Sequence, residues 1–78
     1  MTAMNYAVTV TSVPFVGFLS FCRDLPEVQA FASDAPQALR LAADQIARVL
    51  HEHRHQGRAL PRPSPLQPGE CWLAPSPD

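Results

Sequence analysis

The segment His51-Glu52-His53-Arg54-His55 spells H-E-x-x-H. In that pattern two histidines one helical turn apart bind zinc and the glutamate acts as a general base. The surrounding periodicity argues against that chemistry here. His51 and His55 fall on the polar side of a predicted helix, opposite its apolar stripe, so a metal there would stand in open solvent. No third ligand follows at a matching distance, and 78 residues are too few to build a cleft around it. The segment reads instead as a solvated helix C-terminus, where histidine and arginine complement the negative end of the macrodipole. Asp24, Asp34 and Asp44 are the carboxylates to weigh as a two-metal hydrolytic set. Asp34 is better placed as a helix N-cap, Asp44 lies on the exposed helix face, and nothing in the pattern gathers the three. Cys22 and Cys71 have no base at a legible spacing and read as small packed hydrophobes. They permit one disulfide, but two free thiols in a cytosolic protein fit better. The expectation is a non-enzymatic, cytoplasmic protein with no cofactor and no metal.

Composition narrows the field further. The net charge is −1, all six cations are arginine, and the sequence pI is near 6.2, so no strongly basic surface exists for nucleic acid. The longest apolar run, Val13–Cys22, is interrupted by Pro14, Gly17 and Ser20 and is about half a membrane span. No basic segment precedes it in the manner of a secretory signal. Six of the nine prolines lie between Pro61 and Pro77, so the foldable part is about the first 60 residues. A domain this small buries only about 60% of its unfolded surface and often needs a staple or a partner.

The elements follow from the periodicity. Residues 1–4 are expected to be a disordered start and residues 5–73 a single domain. Asn5–Val13 alternates Tyr6, Val8 and Val10 with Ala7, Thr9 and Thr11, the pattern of a half-buried strand. Phe15–Cys22 is a second strand, with Phe15, Gly17, Leu19 and Phe21 on one side and Val16, Phe18, Ser20 and Cys22 on the other. A turn at Arg23–Pro26 leads to a short strand over Val28–Ala32. Asp34 caps a helix over 35–56, with Gln37 three residues on and Pro36 in the first turn. Its apolar stripe is Ala35, Ala38, Leu39, Ala42, Ile46, Val49, Leu50 and His53. Asp44 and Arg48 form an i,i+4 pair on the polar side, and Gly57 is a natural C′ residue. Residues 58–69 form an extended, proline-rich connector. Cys71-Trp72-Leu73 either adds a fourth strand or packs Trp72 onto the sheet edge, and residues 74–78 are a loose tail.

The second strand is apolar on both sides, and one helix covers only one of them. Val16 and Phe18 are therefore expected on a spare face. Either the proline-rich tail and Trp72 wrap it, or a second subunit or partner covers it.

Several segments then become familiar together. Tyr6-Ala7-Val8-Thr9-Val10 opens as Y-x-V-x-V; Gly17-Phe18-Leu19-Ser20-Phe21 and the Asp24-Leu25-Pro26 turn follow. Ala38-Leu39 and Ala42 open the helix, and Leu60-Pro61-Arg62-Pro63-Ser64 comes after Gly57. In order and spacing the chain resembles the HicB family of type II toxin–antitoxin antitoxins. Arg23 stands where the family pattern has proline, Glu27 where it has glycine, and Asp34-Ala35-Pro36 replaces an Asp-Thr segment. The resemblance implies an α+β, partial ribonuclease-H-like fold: a small antiparallel β-sheet in ββ(β)αβ order with one long helix on one face. It implies a HicA-like mRNA-cleaving toxin as protein partner, neutralised by direct binding, and a homo-oligomer. No C-terminal DNA-binding domain is expected, so promoter binding is not carried over. The expected partner contacts are Asp24, Leu25, Pro26 and Glu27, and the expected oligomer contacts are Val16 and Phe18. The alternative is an orphan oligomeric scaffold of mobile-element origin that has no toxin.

Overall fold

The computed structural model describes residues 5–77, so the expected disordered start at 1–4 lies outside it. The element order is β1 Tyr6–Val13, β2 Gly17–Cys22, β3 Gln29–Ala32, α1 Ala35–His55 and β4 Glu70–Leu73. The strands form one antiparallel sheet in the order β3-β2-β1-β4. The Cys71–Leu73 island is thus a fourth strand, paired to β1 through Tyr6↔Leu73 and Val8↔Cys71.

α1 begins as its residues dictate. The Gln37 N–H donates to the Asp34 side chain at 2.8 Å, and Pro36 lies where its missing N–H costs nothing. It ends on Gly57 at φ +71, where the Gly57 N–H reaches the Arg54 carbonyl and the Arg58 N–H reaches the His53 carbonyl. That pair of bonds satisfies carbonyls the helix would otherwise leave open. Asp44 does not pair with Arg48 as the spacing suggests; its carboxylate accepts the Ser76 hydroxyl at 2.6 Å. The Ser76 N–H also donates to the Ala43 carbonyl, so Pro75–Pro77 is not a loose end but a strap laid on the helix.

The core lies between α1 and one face of the sheet, among Tyr6, Val8, Cys22, Leu25, Val28, Ala42, Ile46 and Leu50. Leu39, Val49, Leu60 and Leu73 pack on its margin. Burying a side chain such as Ile46 contributes about 1.5–3 kcal/mol.

The sheet face turned to the helix is the reverse of the expected one. The buried Ser20 hydroxyl donates to the Ala38 carbonyl at 2.8 Å, and Cys22 lies in the core cluster. By strand alternation Phe18 shares that side. Phe18 is therefore half-buried toward the helix, not on the spare face, and Val16 lies outside β2, in the turn before it. Small residues meet where the helix crosses: Ala38 and Ala42, both fully buried, pack with Ser20, Cys22 and Ala30, while Phe18 at the start of the strand shares that face half-buried. Leu19 and Phe21 lie on the other face. Gly17, at φ +136, is needed at the strand's start because a Cβ there would collide with the Ala32 carbonyl oxygen.

Candidate functional site

No catalytic group assembles among the described residues. His51 and His55 stack with ring centroids 6.4 Å apart and planes 13° from parallel, but both are exposed. No three His, Cys, Asp or Glu side chains among the described residues converge as metal ligands. Asp34 caps the helix, Asp44 holds Ser76, and Asp24 faces a third partner altogether. Both thiols are free, and burial pushes the Cys22 thiol up.

The most elaborate polar cluster joins the turn after β2 to the connector. Asp24 accepts two hydrogen bonds from Ser64, from its N–H at 2.7 Å and its hydroxyl at 2.6 Å. Those bonds hold its carboxyl below the usual carboxylate range. Beside it, the Arg23 guanidinium grips Glu70 through Nε at 3.1 Å and Nη2 at 3.0 Å. The same Nη2 donates to the Pro65 carbonyl, and the Gln67 N–H donates to Glu70. Arg23 in turn lowers the Glu70 pKa. At the other end, the Tyr6 hydroxyl donates to the Pro61 carbonyl at 2.6 Å, and a His53 ring nitrogen lies 3.3 Å from the Ala59 carbonyl. Four prolines cannot donate backbone hydrogen bonds, so side chains fasten this stretch from outside.

The cluster changes the expected partner contacts. Asp24 is occupied by Ser64. Leu25 is 1% exposed and belongs to the core, because the Val28 N–H donates to its carbonyl and folds the turn inward. Of the four residues only Pro26 and Glu27 are exposed.

Two apolar surfaces remain free, and neither was identified from the sequence in full. The first is the sheet face away from α1. Phe31, Leu19 and Thr11 form one row across β3, β2 and β1; Gln29, Phe21, Thr9 and Glu70 form the next; Trp72 completes it, opposite Ala7, which is fully buried. Phe31 is 57% exposed and Trp72 48%. Glu70 is the one acid in those rows, and Arg23 neutralises it. The second surface is the β1–β2 turn. The Val16 N–H donates to the Val13 carbonyl at 3.1 Å, which places Pro14 and Phe15 at the tip. Phe15 has φ +66 and is completely exposed, and Val16 is 62% exposed. The proline break marked this turn in the sequence, but nothing there signalled the full exposure of Phe15.

Fold and surfaces together define a small α+β domain whose most elaborate polar cluster fastens its own loops and whose sheet face and β1–β2 turn carry exposed apolar side chains. Residues 5–74 match the family model described as the HicB-like antitoxin of bacterial toxin–antitoxin systems, and the chain belongs to that family. Among curated proteins, no individual sequence matches it. No helix among the described residues is long and apolar enough to cross a membrane.

Proposed function

We propose that this chain is a non-enzymatic antitoxin that binds and neutralises a HicA-like mRNA-cleaving toxin in the cytoplasm. The family match across nearly the whole chain carries this reading. Its support in the structure is that the most elaborate polar cluster is engaged internally while apolar side chains stand free. Exposed Pro26 and Glu27 remain the contacts from the Asp24–Glu27 turn, with Glu27 offering a negative charge to a basic toxin. The test is co-expression with a HicA-like ribonuclease. The complex is expected to co-purify and mRNA cleavage to stop. A toxin that neither binds nor loses activity contradicts the proposal.

The same reading includes a homo-oligomer, formed by the open sheet face rather than by Val16 and Phe18. The rows holding Leu19, Phe21, Phe31 and Trp72 carry no uncompensated charge, so two copies stack without like-charge repulsion. Four strands at about 4.8 Å spacing give a face about 19 Å wide. A dimer that dissociates on dilution is expected. Sedimentation over a concentration series reads it: Phe31→Asp should abolish the dimer while leaving the circular dichroism unchanged. A dimer indifferent to that change places the interface elsewhere.

A further inference from the structure

The hairpin tip Pro14-Phe15-Val16 joins β1 to β2, but the Phe15 side chain packs on nothing in the fold. Its turn is closed by the Val16 N–H to the Val13 carbonyl, with proline second and a positive φ third. That is the pattern of a type II turn, whose third position favours glycine because an L side chain is strained there. Phenylalanine occupies it, and at 108% relative exposure its ring rests on nothing. Local strain and a fully solvated aromatic ring together work against stability, which is the combination found where a residue is kept for an external contact.

We infer that this tip is the anchor by which the chain enters a concave apolar pocket on the toxin; this rests on the antitoxin reading above. The shape and charge of the molecule select that occupant over a second copy. A protruding tip needs a hollow, and two hollows of the described surface are lined by charged groups. One holds Asp44, Arg48 and His51; the other holds Glu27, Arg48, Glu52 and Arg58. Seating Phe15 in either would strip water from ions and offer them no partner. The open sheet face of a second copy presents Phe31 and Trp72, both about half exposed, as a surface to pack against rather than a cavity to enter. The partner's pocket is also uncharged where it meets the tip, because no charged side chain occurs anywhere from Asn5 to Cys22. The tip's contribution to binding is therefore insensitive to salt, unlike contacts made by Glu27.

The experiment is a calorimetric titration of the full chain with a catalytically silenced HicA-like ribonuclease. Phe15→Gly is compared with wild type, after circular dichroism and thermal melting confirm that the variant folds. The expected result is at least a tenfold loss of affinity for Phe15→Gly, with melting unchanged or raised. Phe15→Leu should recover part of the loss, and the wild-type to variant ratio should hold between low and high salt. If wild type binds and Phe15→Gly binds equally well, the tip is not the anchor, while the antitoxin reading stands. If wild type does not bind, the antitoxin reading falls and the tip assignment falls with it.

Discussion

The two turns flanking β2 make opposite use of their residues. The turn after it, Arg23–Val28, is tied to the fold by four of its six residues: Arg23 to Glu70, Asp24 to Ser64, and Leu25 and Val28 into the core, while Pro26 and Glu27 stand exposed. The turn before it, Val13–Val16, holds one hydrogen bond of its own and leaves Phe15 fully in solvent. The first turn carries the more distinctive sequence, yet its distinctiveness is structural. The Asp-Leu-Pro segment and the Leu-Pro-x-Pro-Ser segment are 40 residues apart at Asp24 and Ser64, and they are the two halves of one clasp. A motif of this kind reports what the fold requires. Residues that the fold does not require are the better guide to what it binds.

Substitutions sharpen this contrast, beginning with the largest effect. Leu25→Ala should destabilise the domain by about 2–4 kcal/mol in urea unfolding, since it empties a fully enclosed site. A change below about 0.5 kcal/mol would place Leu25 on the surface after all. Asp24→Ala should cost about 1 kcal/mol, because two charge-assisted bonds are lost at a partly exposed site.

The Asp24 contribution also depends on pH. Its carboxyl is depressed in the folded state, so on acidification the unfolded chain takes up the proton first. The stabilisation is complete above the ordinary carboxylate pKa and is lost as pH falls through the depressed folded value. Melting temperature between about pH 6 and pH 2 should therefore fall less steeply in Asp24→Asn than in wild type. Glu70 is depressed by Arg23 and acts in the same sense, so the slope should be reduced but not abolished. Phe15→Gly should give the smallest stability change, between no change and a gain of about 1 kcal/mol, because relief of the positive φ is partly offset by glycine's larger freedom when unfolded.

Much of the fold was legible because each element carries its own period. Alternation located β1 and β3, and the 3.6-residue stripe with Asp34 and Gly57 located α1 within a residue. The facing of β2 was not legible from hydrophobicity, since both of its sides are apolar. The matching small residues lie in another element. Ala38 and Ala42 of the helix pack with Ser20 and Cys22, while Leu19 and Phe21 lie on the other face. The anchoring of the connector was equally hidden, because prolines in sequence announce only an extended chain. Its order comes from Tyr6, Arg23 and Asp24, which are distant in sequence. The family resemblance identified the fold, and three of its most distinctive residues, Asp24, Leu25 and Ser64, hold the domain together.

The most direct test of the division between the two turns is backbone hydrogen exchange of the chain, free and saturated with the HicA-like ribonuclease. The account predicts new protection at Phe15, Val16 and Gly17, with Asp24, Leu25 and Val28 exchanging as slowly in the free chain as in the complex. New protection confined to 23–28, with none at 15–17, would contradict it.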